Sequence, residues 1–275
     1  MMRFGWLTSG RDQAALDLFQ AAAEEMARGF IPGEIAYVFM DRDPGESPAA
    51  DRLMAAVKAR GLPLVTLSSR ELREALRRRL PEAEARRQAF DARVMELVQG
   101  FQAEVVVLAG YMLIVSPLLC RTFLCLNLHP ALPGGPVGTW QEVMWQIIAQ
   151  RLPEAGAMMH LATPELDKGP PVTFCRFSTR LGRLPGLWAA LEEQLRHEPL
   201  AAIRAREGES QPLFQALRAE ELRREFPLIL LTLKSLAEGR IHLTREGAVV
   251  DGVLRPQGLD LTPGVQEMLA REGRA

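Results

Sequence analysis

Cysteine is scarce in this chain, with three among 275 residues. So small and odd a number in a chain of this size excludes a disulfide framework. Cys120, Cys125 and His129 lie close in sequence, but Cys125 and His129 fall on an alternating apolar stretch with no fourth ligand nearby. Buried apolar cysteines are therefore expected there, and no metal site. Charge of one sign is also lacking. The formal net charge is -1 with 24% charged residues, which leaves no overall positive field to recruit a nucleic acid. The basic clusters Arg77-Arg78-Arg79 and Arg86-Arg87 are interleaved with Glu71, Glu74, Glu82 and Glu84, the pattern of a solvated helix face.

Long apolar runs are missing as well. The longest uncharged stretch, Val105 to Cys120, contains Gly110, Ser116 and Pro117 and falls short of the ~20 residues that cross a bilayer. The N-terminus enters a strand pattern at once, without the basic segment, apolar stretch and cleavage site of a leader. A soluble, cytoplasmic protein is expected, with no membrane partner. No Gly-x-Gly-x-x-Gly follows the first strand, so a dinucleotide site has no support. There is no internal repeat and no low-complexity linker.

What is present is strand-helix alternation. Phe4-Gly5-Trp6-Leu7 is a strand that ends in Thr8-Ser9-Gly10, and a helix pattern follows from about Asp12 to Arg28. Ile35 to Met40 is the second strand. Ser47-Pro48 then starts a helix that runs to Arg60 and stops at Gly61. Leu64 to Leu67 is the third strand, followed by a charged helical stretch broken at Pro81 and ending at Gly100. Val105-Val106-Val107-Leu108 is apolar throughout, as strands buried on both faces of a parallel sheet are. Cys125 to Asn127 is the next strand.

This alternation predicts an α/β fold: a doubly wound, mostly parallel sheet with helices on both faces. Ligands of such sheets bind beyond the carboxyl ends of the strands. Gly10, Gly110 and the Asn127/His129 pair all fall at those ends, so separate segments are expected to converge on one crevice.

Downstream, a helix after Gly138 carries Trp140, Val143, Met144, Ile147 and Ile148 at core spacing. Met158 to Leu161 and Val172 to Cys175 are strands on either side of a Pro/Gly-punctuated turn. Leu187 to Glu238 is largely helical, with breaks at Pro199, Gly208 and Pro212. Short strands follow at Ile241 to Leu243 and Ala248 to Val250, with Asp251-Gly252 as a turn. A single domain over residues 1–275 is expected, with a helical insertion at about 178–225.

Two short segments carry chemistry. Asn127-Leu128-His129-Pro130 closes an apolar strand, and Glu165-Leu166-Asp167-Lys168-Gly169-Pro170 forms the punctuated turn. Together they offer an amide donor, an imidazole and a carboxylate. That is a minimal set for moving an acyl group between amines: a donor for the developing oxyanion, a proton carrier, and an acid that orients and charges the carrier. No serine or cysteine nucleophile is required. Asn127 and His129, two residues apart, share one strand face. His160 reads as mainly structural, although it could brace the Asp167 loop. Asp12 reads equally as the N-cap of the first helix and as a ligand contact.

Val106-Val107-Leu108-Ala109-Gly110-Tyr111-Met112, then the Asn127 segment, then the Asp167 segment resemble, in order and spacing, the glycinamide ribonucleotide formyltransferases of purine synthesis. The resemblance runs from the first strand to about Phe177 and resumes from Phe226-Pro227-Leu228-Ile229 through Asp251-Gly252. It implies transfer of a formyl group from 10-formyltetrahydrofolate to an amine, glycinamide ribonucleotide first among the acceptors. It also implies roles. Asn127 would hold the formyl oxygen as it becomes an oxyanion. His129 would shuttle the proton, and Asp167 would orient His129 and favour its cationic form. Gly110, Met112, Leu113, Ile114 and Val115, with Thr163 and Gly169 of the second loop, would wall the pterin pocket. The partners implied are small molecules, with a homodimer as a possible assembly.

The acceptor side departs from the family. Its Gly-x-Gly-Ser-Asn phosphate loop is here Ser9-Gly10-Arg11-Asp12-Gln13, so Gly10, Arg11, Asp12 and Gln13 are the residues expected to meet the acceptor. An anion beside Asp12 at a helix N-terminus is disfavoured, which leaves Arg11 to supply charge. The family's Phe-Met-Arg-Ile-Leu is Tyr111-Met112-Leu113-Ile114-Val115, and the histidine-rich turn after His129-Pro130 is replaced by Ala131 to Trp140. The family's Glu-His pair is absent ahead of Phe226-Pro227. Formyltetrahydrofolate hydrolases share the Asn, His and Asp but carry a regulatory domain for which this chain is expected to be too short. A non-catalytic folate-binding relative is the alternative from a different class.

Overall fold

A computed structural model describes residues 1–271 and 273. In chain order the elements are β1 (Met2–Thr8), α1 (Gln13–Ala27), β2 (Gly33–Met40), α2 (Pro48–Ala59), β3 (Leu64–Thr66), α3 (Ser69–Arg77), α4 (Ala83–Val98), β4 (Val105–Leu108), α5 (Pro117–Thr122) and β5 (Cys125–His129). There follow α6 (Trp140–Ala149), β6 (Glu154–Leu161), β7 (Pro171–Ser178), α7 (Leu184–Leu195), α8 (Leu200–Glu207) and α9 (Pro212–Ala237). The chain ends with β8 (His242–Thr244), β9 (Gly247–Val250), β10 (Val253–Arg255), β11 (Leu259–Asp260) and α10 (Thr262–Arg271). It divides into two compact units. The first comprises Met1–Asn127, His160–Pro170 and Thr232–Pro256; the second comprises Leu128–Met159, Pro171–Leu231 and the residues from Gln257 on.

The first unit holds the parallel strands in the order β3-β2-β1-β4-β5. Alternation along the strands sends side chains to two faces, and helices cover both. Leu7, Tyr37, Phe39, Val106 and Leu108 pack with Phe90, Val94 and Val98 of α4 and Leu119 of α5. On the opposite face Trp6 meets Phe19 of α1 edge-on, with ring centroids 6.3 Å apart. The doubly wound α/β class expected from the sequence is the observed one. A separate antiparallel sheet, β10-β9-β8, closes the unit. Asp251 and Gly252, at φ 51° and 73°, make the two-residue turn between β9 and β10, a conformation Asp-Gly suits.

Local chemistry starts the helices. Asp12 caps α1 by accepting from the Ala15 amide at 3.1 Å. Ser68 caps α3, and Ser116 caps α5 ahead of Pro117. Thr139 and Glu142 form a reciprocal capping box on α6. Four elements lie outside the sequence expectation: the short α5, which starts inside the apolar run that ends at Cys120; β10; the two-residue β11; and α10.

In the second unit β11 pairs in parallel with β7. Trp145, Ile148, Trp188, Leu191, Ile203 and Phe214 form the centre of an apolar core between the helices. The breaks expected at Pro199 and Gly208 fall between α7, α8 and α9, and Pro212 is the first residue of α9. Strand β6 begins at Glu154, earlier than its Met158-Leu161 pattern suggests, because Gly156 lets it approach β7 closely. A Cβ at position 156 would stand 2.0 Å from the Cys175 carbonyl oxygen and 2.7 Å from Leu132. Gly156→Ala should therefore destabilise the protein by about 1–3 kcal/mol, the usual cost of forcing atoms into a packed site. Chemical denaturation of the two proteins measures it; unchanged stability would mean that the strands can separate freely.

All three cysteines are free and buried. Burial pushes the thiols up, Cys120 to about 11 and Cys175 to about 12. Among the described residues no cluster of three or more His, Cys, Asp or Glu side chains could hold a metal ion, and no helix is long and apolar enough to cross a membrane.

Candidate active site

The strand order places β1 beside β4, where the chain reverses its direction across the sheet. This is the position at which doubly wound sheets open a crevice beyond their carboxyl ends. The two loops leaving these strands are tied together. The Ser9 amide donates to the Gly110 carbonyl at 3.1 Å, and the Met112 amide donates to the Ser9 hydroxyl at 2.9 Å. Gly110 takes φ 65°, a conformation open to glycine, and turns the chain so that residues 111–115 run outward as a wall.

That wall bounds a cavity of about 200 Å³. Met112, Leu113, Ile114 and Val115 line one side; Thr163, Pro164, Leu166 and Asp167 line the other; Asn127 and His160 contribute polar atoms. Met112 and Ile114 are 55% and 48% exposed and Leu166 is 60% exposed, so large apolar side chains gather at the mouth. An apolar cleft with a few placed polar groups is the usual form of a small-molecule site.

The polar groups are ordered by their neighbours. His160 Nδ1 lies 3.1 Å from the Leu161 carbonyl oxygen, which can only accept, so Nδ1 carries the proton in the neutral ring. His160 Nε2 then accepts from the Asn127 amide nitrogen at 3.2 Å. This fixes which end of the Asn127 carboxamide is nitrogen and leaves its second N–H to donate elsewhere. Asp167 Oδ1 stands 4.0 Å from the same Nε2. His160 thus lies against both Asn127 and Asp167. Its position in the motif, inside an apolar strand, reads as structural; the strand's pairing brings it to the site.

The second loop is held by its ends. The Leu161 amide donates to the Pro170 carbonyl, and the Ala162 amide donates to the Cys125 carbonyl at 2.7 Å. Gly169 does not line the cavity but permits this closure, since a Cβ there would lie 1.6 Å from the Leu161 oxygen. Asp167 itself sits at φ 56°, a left-handed backbone that Asp tolerates better than most residues.

Of the residues expected at the acceptor turn, Asp12 is occupied as the α1 cap and Gln13 bonds Asp17 at 2.8 Å. Gly10 takes φ 53°. Arg11 is exposed and its guanidinium lies 3.8 Å from the Met112 sulfur, beside the cavity wall. His129 ends β5 and is 2% exposed. Its Nε2 donates to the Pro136 carbonyl at 2.9 Å.

The sequence profile of the family described as Formyl transferase matches residues 13–176. The chain belongs to that family. A phosphoribosylglycinamide formyltransferase of Schizosaccharomyces pombe is 34% identical over 93 residues, 31% of this chain, and the match spans 45% of that enzyme's length. Among solved structures, a glycinamide ribonucleotide transformylase 1 from Symbiobacterium toebii has a TM-score of 0.61 at 22% identity, covering 91% of this chain and 94% of its own. A phosphoribosylglycinamide formyltransferase from Coxiella burnetii has a TM-score of 0.63 at 18% identity, covering 94% and 98%. These structures share the fold of this formyl transferase family member.

Proposed function

We propose that this formyl transferase family member moves a formyl group from 10-formyltetrahydrofolate to a primary amine, with glycinamide ribonucleotide as the leading acceptor. The observation that carries this reading is the meeting of the Asn127 amide, the His160 ring and the Asp167 carboxylate at one apolar-walled cavity at the β1/β4 reversal. The donor fits such a cleft: its flat ring has apolar faces for Met112, Leu113 and Ile114, and backbone groups of the two loops can meet its polar edge.

In the reaction the acceptor nitrogen bonds the formyl carbon and the bond from that carbon to the folate nitrogen breaks. The proton lost by the amine is returned to the folate nitrogen. Asn127 Nδ2 supplies an N–H to the formyl oxygen as it gains charge. Asp167 stabilises positive charge on the attacking amine and accepts its proton through water. His129, two residues beyond Asn127 on β5, is the proposed proton carrier. The test follows release of tetrahydrofolate with glycinamide ribonucleotide, with other amines, and with none. Amine-dependent release coupled to formylated product is expected; release of formate without any amine would make the protein a hydrolase, and no turnover with bound folate would make it a binding protein.

The acceptor turn gives a separate expectation. With the α1 N-terminus capped by Asp12, a phosphate there has Arg11 and the amides of residues 11–13 as partners. Arg11→Ala should raise the apparent KM for glycinamide ribonucleotide by about tenfold, the loss of one charge-assisted contact of about 1.4 kcal/mol, with turnover little changed. Steady-state kinetics with the ribonucleotide and its phosphate-free analogue check it. Equal KM values for the two substrates and for both proteins would place the acceptor away from this turn.

A further inference from the structure

The cavity wall at residues 111–115 has no helix or strand of its own, and its side chains Met112 and Ile114 are half in solvent. What holds it lies behind, in a buried serine after β1 and a buried acid of α4. At one end the Met112 amide donates to the Ser9 hydroxyl at 2.9 Å. At the other end Asp91 of α4 accepts from the Ser116 amide at 2.5 Å, where the wall turns into α5. Ser9 is 1% exposed and Asp91 2%.

Burial works against the Asp91 charge. Desolvation raises its pKa, opposed by Ser116, Arg73 and Arg87. A carboxylate makes roughly twice as strong a bond to an N–H as a neutral acceptor does. The Ser9 and Asp91 bonds end on the same short segment. Nearby, Asp41 accepts from the Ser69 hydroxyl at 3.1 Å, a bond that docks the start of α3 and does not touch the wall.

We propose that Ser9 and Asp91 are positioning residues of the donor pocket, each clamping one end of the Met112–Ser116 wall, Ser9 at the Met112 amide and Asp91 at the Ser116 amide. This rests on reading the cavity as the folate site. A wall set in place before binding spares the donor the cost of ordering it, so loosening either clamp should weaken donor binding.

The probe is tetrahydrofolate, titrated into the full chain by calorimetry, with Tm measured alongside. Wild type is read first, and a wild type that fails to bind refutes the folate reading itself. Given binding, Ser9→Ala and Asp91→Ala are each expected to raise Kd about fivefold to tenfold, the range for one lost hydrogen bond. Asp91→Asn keeps a carbonyl acceptor for the Ser116 amide and should restore Kd to within about twofold of wild type. Ser69→Ala, which loses a comparable hydrogen bond away from the wall, should likewise stay within about twofold. If Asp91→Ala does not fold, Ser9→Ala decides. A Kd unchanged in Ser9→Ala, or raised equally by Ser69→Ala with a matching fall in Tm, would show that Ser9 and Asp91 serve stability and not the pocket.

Discussion

Asp167→Asn is expected to lower turnover by about two to four orders of magnitude while leaving tetrahydrofolate affinity within about twofold, the scale of a positioned acid-base group. Asn matches Asp in size and is at ease in the left-handed backbone that position 167 adopts at φ 56°. The exchange therefore removes the charge and the proton acceptor without forcing the loop to move. Asp167→Ala would confound the two, because alanine resists that conformation. The ends of the loop are secured by the Leu161–Pro170 and Ala162–Cys125 backbone bonds, which neither substitution touches. Turnover at saturating donor and amine, with Kd from direct titration, separates chemistry from binding. Wild-type turnover in Asp167→Asn would remove the carboxylate from the mechanism.

Asn127→Ala should cost about 10²–10³ in turnover, as loss of one oxyanion donor does, again with donor affinity largely kept. Asn127 is well placed for this role because one amide hydrogen is engaged by His160 Nε2 at 3.2 Å, leaving the carboxamide unable to flip without losing that bond. The donor is thus oriented before the substrate arrives, and preorganised dipoles of this kind need no rearrangement as charge develops. Asn127→Asp, nearly the same shape, offers only acceptors at neutral pH and should be at least as damaging. If Asn127→Ala lost folate affinity and turnover in equal proportion, the side chain would be a ground-state contact and the oxyanion would have to be held elsewhere.

Much of this was legible along the chain. Fully apolar Val105–Leu108, the Ser47-Pro48 start and the Asp251-Gly252 turn each declare themselves through adjacent residues. The motif pair around Asn127 and Asp167 was equally visible, as was the altered turn at Ser9–Gln13. His160 was not. Its neighbours Met158, Met159 and Leu161 are a buried strand, and nothing local distinguishes a histidine that fills a core from one that orients an amide on another strand. Asp12 was ambiguous for the same kind of reason, since cap and ligand contact use the same carboxylate; the Ala15 amide at 3.1 Å decides for the cap.

The sequence by itself determined the α/β class, the places of most strands and helices, and the loops that line the cavity, because periodicity, caps and turn residues act over a few neighbouring positions. Tertiary structure decided what those segments meet. Strand β11 is two residues long and exists through its pairing with β7. Gly156 matters because a carbonyl from β7 lies where its Cβ would be. Ser9 and Asp91 look like ordinary polar residues in a turn and a charged helix. They reach the wall at 112–116 once the sheet has brought β1 and β4 side by side and α4 has packed across it. Contacts between residues far apart in sequence depend on how whole elements pack, and no local pattern encodes that distance.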